Sequence, residues 1–157
     1  MIQRVRKNER QESAGNRLPT SRNFEIPQKF QDILLHDSGV NDPNRILAFG
    51  NMEMLEYFMV PGCTGFGDGT FQICPTLFFQ LYTLHTRVAG YYPPCVYFLL
   101  PNKTEATYNR MLAIFRQLAL RIDPLEFLVD FELAAMNAFR RAFPEADVTG
   151  CFFHLSQ

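Results

Sequence analysis

Two carboxylates carry the chemistry that this sequence offers. Asp68 stands in Gly67-Asp68-Gly69-Thr70-Phe71, and Asp130 stands far downstream in Leu128-Val129-Asp130-Phe131-Glu132. Each interrupts or ends an apolar, strand-like run. A carboxylate in such a place is costly to bury unless it is paired or binds a cation. Two of them on neighbouring strands can hold Mg²⁺, with water and substrate oxygens completing the shell. Held there, the ion stabilises the attacking and leaving oxygens of a phosphodiester. Each residue also has a plainer reading. Asp68 could face solvent from a half-exposed strand, and Asp130 could cap the helix that follows. Glu132 falls in the first turn of that helix by pattern, where the helix dipole favours a negative charge, so it reads as structural rather than as a ligand.

The elements that must position these residues can be read in order. Residues 1–23 are polar and basic, with Arg4, Arg6, Lys7, Arg10, Arg17 and Arg22 against Glu9 and Glu12, and read as a disordered leader. Phe30, Ile33 and Leu34 recur at helical spacing. Arg45 to Phe49 reads as a strand, and Met52 to Met59 as helical turns with Leu55 and Phe58 inward. Phe66 to Cys74 is the first core strand, with Phe66, Asp68, Thr70, Gln72 and Cys74 on one face. The glycines beside Asp68 would clear space for a ligand. Phe78 to Val88 is the second strand. Cys95 to Leu100 is continuously apolar, as in a strand covered on both faces.

Asn102 and Glu105 resemble a capping box. They open a helix striped by Tyr108, Met111, Leu112, Phe115, Leu118 and Ala119. Glu126 to Val129 is a short strand ending on Asp130. A helix from Glu132 to Phe143 then places Leu133, Met136, Phe139 and Phe143 inward, and Val148 to His154 is a last strand. The pattern is an α/β sheet flanked by helices.

Bulk properties exclude some classes. With 157 residues, 47% hydrophobic content and 16 Phe, the chain can build one packed core. No apolar run reaches the ~18 residues of a membrane span, and no signal peptide opens the chain. Both absences point to an intracellular protein. The four cysteines form no CxxC pair or disulfide framework, and Cys74 and Cys95 read as reduced core residues. Cys151-Phe152-Phe153-His154 is a CxxH, half of a zinc site by count; the alternative is core packing for Cys151 and a turn for His154. His85 reads as a packing residue near a strand end. The glycines around Asp68 lack dinucleotide-binding spacing, and Phe66 occupies what would be the nucleophile position of a DxDGT phosphatase.

Five stretches in order resemble the Mutator-like element (MULE) transposase domain. They are Asp68-Gly69-Thr70-Phe71 with Pro75, Gln80-Leu81-Tyr82-Thr83-Leu84-His85, Lys103-Thr104-Glu105 with Tyr108, Asp130-Phe131-Glu132 with Ala134, and Gly150 to Gln157. The resemblance covers residues 24–157 and implies a partial MULE domain with a ribonuclease H-like mixed sheet flanked by helices, lacking the final helical part. It implies a DDE-type site in which Asp68 and Asp130 are the first two acids and bind Mg²⁺ or Mn²⁺, weakly or not at all in a truncated chain. Cys151 and His154 lie after the second acid. The third acid has no counterpart before Gln157, so the expectation is a transposase fragment inactive on its own. Complete relatives cut and join DNA in the nucleus. Bare apolar sheet surface, with one or more of Phe143, Phe152 and Phe153, would then invite a protein partner. Two other readings stand beside this one: a transposase-derived, non-catalytic DNA- or protein-binding module, and a structural domain with no metal.

Overall fold

The computed structural model describes residues 19–150. Its frame is one seven-stranded mixed sheet: β1 (Leu34–Asp37), β2 (Leu47–Gly50), β3 (Cys63–Thr70), β4 (Gln80–Thr86), β5 (Pro94–Leu100), β6 (Pro124–Val129) and β7 (Asp147–Gly150). The helices are α1 (Met52–Leu55), α2 (Glu105–Leu118) and α3 (Leu133–Ala142). The spatial order is β1-β2-β5-β4-β3-β6-β7. β3, β4 and β5 form an antiparallel meander. Helix α2 then carries the chain across so that β6 lies parallel to β3, and α3 does the same to set β7 parallel to β6. This is the ribonuclease H-like arrangement of the expected α/β class, with β1 and β2 added beyond β5.

Aromatic packing welds the helices to one face. Tyr108, Met111, Leu112 and Phe115 of α2 are fully buried, as the stripe requires. Phe58 meets Phe115 edge-on at 4.9 Å, and Phe127 of β6 meets Phe139 at 4.9 Å and Phe143 at 4.8 Å. Pairing register places Phe66, Asp68, His85, Thr83, Tyr97 and Leu128 on the other face.

Several expectations are corrected. Strand β3 begins at Cys63, because its parallel partner β6 reaches back to Pro124, and it ends at Thr70. Cys74 lies in the following turn, partly exposed, while Cys95 is a core residue. β5 is not covered on both faces, since Tyr97 is 36% exposed. Helix α2 is capped by Thr104, whose hydroxyl oxygen accepts from the Thr107 N–H, while Asn102 accepts from the Thr104 N–H and from both threonine hydroxyls. Helix α3 buries Ala135, Ala138 and Phe139, and Leu133 is 68% exposed. Gln28–Ile33 is a 3-10 helix whose Phe30 and Ile33 point outward. Phe143 is buried under the Arg116 guanidinium, not bare. Phe152 and Phe153 lie outside the described residues.

The β1–β2 addition is locked by a buried charge. Arg45 Nε donates to Asp37 Oδ1 at 2.8 Å, and its Nη1 donates to the carbonyls of Arg22 and Phe24 at 2.6 and 2.7 Å. A second Asp37 oxygen takes Nη2, and the guanidinium lies over the Phe24 ring.

Candidate functional site

Parallel pairing decides where the carboxylates meet. In the β3–β6 register Gly67 faces Val129, so the next residue on each strand is Asp68 and Asp130. Asp68 is the sixth residue of β3, and Asp130 follows the last residue of β6. Both are half-buried. The Gly69 N–H donates to Asp130 Oδ2 at 2.9 Å, which ties the second carboxylate to the strand that carries the first. Asp130 does not cap α3; the cap position belongs to Glu132.

The glycines beside Asp68 have a different task from the one expected. A Cβ on Gly69 would stand 2.8 Å from Gln80 Oε1 and 3.4 Å from Asp130 Oδ2. One on Gly67 would stand 2.7 Å from the Tyr82 hydroxyl. The protein's own polar groups therefore fill the space that the missing side chains leave. The glycines let Asp130, Gln80 and Tyr82 close against the backbone of β3.

Below the carboxylates lies a hydrogen-bonded relay that the sequence reading missed. Gln80 Nε2 donates to the Tyr108 hydroxyl at 2.7 Å, and that hydroxyl donates to Glu132 Oε2 at 3.0 Å. Glu132 sits at the N-cap of α3 with extended backbone (φ −89°, ψ 117°), and its side chain makes no cap bond. The expectation placed it in the first helical turn; it stands instead one position before, and its side chain turns to Tyr108. The available signal was chemical: a tyrosine on the inward stripe of α2 needs a partner for its hydroxyl.

Tyr82 completes this layer. Its ring is 1% exposed and packs edge-on to Tyr108 at 5.5 Å. Burial raises the Tyr82 phenol well above its ordinary value, and the charges of Asp130 and Asp68 push it the same way. Burial also lifts Tyr108, with the Gln80 bond pulling it partly back and the Glu132 charge raising it again. Both phenols therefore stay protonated through the neutral range, so Tyr108 is the donor to Glu132.

Of the other residues singled out, His85 does not join the carboxylates. His85 Nδ1 lies 3.1 Å from the Tyr92 carbonyl at the end of β4, a packing role at the sheet margin. Cys151 and His154 lie outside the described residues. Among the described residues, no group of three or more His, Cys, Asp and Glu side chains is placed to hold a metal ion.

A comparison with protein families supplies the deciding observation. The MULE transposase domain matches residues 66–157, more than half of the chain. The chain belongs to the MULE transposase domain family. No curated protein and no solved structure matches it. The MULE match begins on β3, two residues before Asp68, and includes Asp130. Both carboxylates and the whole relay therefore lie within the MULE domain, while β1, β2 and α1 precede it. Membership gives the chain a transposase-related function and, in its relatives, an interaction with DNA. No helix among the described residues is long and apolar enough to cross a membrane.

Proposed function

We propose that this chain carries two acids of a DDE-type transposase site, Asp68 and Asp130, which together hold Mg²⁺ or Mn²⁺. The observation that carries the reading is the Gly69 N–H bond to Asp130, which fixes that carboxylate beside the strand position of Asp68. The donor set fits a hard divalent cation: anionic oxygens, one on β3 and one just past the end of its parallel neighbour β6, are of the kind that Mg²⁺ takes together with water and substrate oxygens. A bound cation would stabilise the charge that develops on a phosphodiester during strand cleavage and transfer. Asp68 and Asp130 hold it, Gly69 orients Asp130, and the strands β3 and β6 set their spacing. Two carboxylates make an incomplete site, so we infer that these residues do not cut DNA unless a further carboxylate joins them. DNA is the proposed macromolecular partner and the nucleus the proposed compartment.

The test is a titration of the chain with MnCl₂, followed by the paramagnetic signal of free Mn²⁺. Saturable binding that Asp68→Ala and Asp130→Asn both abolish, with fold retained, supports the reading. Binding that survives both substitutions excludes it. The apolar face around Tyr97 and Leu128 favours a second reading, a binding module that docks a protein there. That reading predicts a partner affinity that falls in Tyr97→Ala and does not depend on Mn²⁺.

A further inference from the structure

The buried layer beneath the carboxylates has a geometry that simple core packing does not require. Gln80 reaches both parts of the site. Its amide oxygen stands in the space that a Cβ on Gly69 would take, beside the residue whose N–H holds Asp130. Its amide nitrogen donates to Tyr108, which in turn holds Glu132, two residues beyond Asp130. The Tyr108 bond, aligned by Gln80, therefore holds the Glu132 end of the Asp130–Glu132 segment and the Gly69 N–H holds the Asp130 end, where the chain leaves β6 and has not yet entered α3. Glu132 lends its carbonyl to the first helical bond, from the Met136 N–H, and the bonds to the Asp130 and Glu132 side chains add to that anchor.

The bracing groups are also of a kind suited to the task. Gln80 is 1% exposed and Tyr108 is fully buried. Buried polar groups are costly unless satisfied, and these satisfy one another in a directed chain that ends on an acid. Replacing all three by apolar residues of the same shape would build an ordinary core. What the chain gains from the polar version is a fixed position for the acid-bearing turn. Outer-shell groups of this type orient the ligands of metal sites.

We propose that Tyr108 and Gln80 are positioning residues of the Asp68–Asp130 site: they hold the Asp130–Glu132 turn in the place from which Asp130 can bind a divalent cation. Glu132 acts in this scheme as the anchor for Tyr108, not as a ligand. The inference rests on the proposed cation site and deepens it.

The experiment uses the full chain and Mn²⁺ alone as the probe, with thermal unfolding followed in parallel. Tyr108→Phe keeps the ring and its packing but removes the hydroxyl. It is expected to weaken Mn²⁺ binding about tenfold, the low end for an outer-shell loss, while the protein remains folded at the assay temperature. Glu132→Gln keeps an oxygen acceptor for Tyr108 and is expected to bind Mn²⁺ nearly as well as the wild type. If Glu132→Gln loses as much affinity as Tyr108→Phe, Glu132 acts through its charge and the positioning role is overturned. If Tyr108→Phe binds normally while Asp130→Asn does not bind, the inference fails and the site stands. If Asp68→Ala and Asp130→Asn both bind normally, the site itself fails and the inference falls with it. Should Tyr108→Phe not fold, Gln80→Met decides in its place: a smaller loss of affinity supports the proposal, and none overturns it.

Discussion

Two charged constellations in this molecule differ in what surrounds them. Around Arg45 the charge is closed. The guanidinium meets both oxygens of Asp37, two backbone carbonyls and the Phe24 ring, and its side chain is 1% exposed. Around Asp130 the arrangement gathers like charge instead. Asp68 and Asp130 lie side by side in register, and Glu132 follows close behind. The Gly69 N–H holds Asp130, and the neutral Tyr108 phenol holds Glu132. A closed ion pair joins segments of chain. In the proposed reading, the neighbouring Asp68 and Asp130 attract a cation, with Glu132 as the anchor behind them.

The comparison can be broken most forcefully at Arg45. Asp37→Ala leaves a buried guanidinium without its counter-charge and is expected to cost about 3 kcal/mol, measured by urea unfolding. Cation binding should be unchanged in that variant while it is folded. Next come two glycine substitutions on the same strand. In Gly65→Ala the new methyl group would stand 2.1 Å from the Phe127 ring, far inside van der Waals contact. Its expected cost is about 1–3 kcal/mol of stability, with Mn²⁺ affinity kept. Gly69→Ala meets Gln80 and Asp130 instead, and its expected signature is weaker Mn²⁺ binding out of proportion to its loss in stability.

A smaller effect is expected from pH. The Arg45 hydrogen bond, working against the cost of burial, holds the Asp37 carboxyl below the usual carboxylate range. A lowered folded-state value means the contribution is present above the unfolded carboxyl value of about 4 and disappears as pH falls through the lower folded value. Urea midpoints measured downward from about pH 5 should therefore decline more steeply in the wild type than in Asp37→Ala. The smallest expected effect is chemical. Burial pushes the Cys95 thiol up to about 11, so at pH 8 it holds only about a thousandth of its thiolate form. Iodoacetamide should label the turn residue Cys74 well before Cys95.

The sequence announced some of this and concealed the rest for identifiable reasons. Asp68 and Asp130 were legible because a carboxylate in an apolar run is costly and so stands out. The stripe of α2 was legible because large apolar residues at helical spacing have one natural use. Helix α3 was misjudged by the same logic. Its inward face is made of Ala135, Ala138 and Phe139, where small side chains let it approach, while Leu133 points to solvent. Counting large apolar residues cannot find a face built on alanine. β5 was read as covered on both sides, yet Tyr97 is partly in water; an apolar run does not say how many layers lie over it. The relay of Gln80, Tyr108 and Glu132 was hidden because its members sit on β4, α2 and the turn before α3, and only the three-dimensional crossover brings them together.

The bond from Gly69 to Asp130 also spans time. It joins residues 61 positions apart, and between them the chain must build β4, β5, α2 and β6 before the acceptor arrives. Such non-local parallel pairing is slow to form, because loop closure must be completed before the contact can reward it. During synthesis Asp68 emerges before β4, β5, α2 and β6. The two carboxylates become neighbours only when β6 slots beside β3. The proposed cation affinity would therefore be a property of the finished topology, and the first Mn²⁺ captured by a refolding chain would mark the moment that the crossover closes.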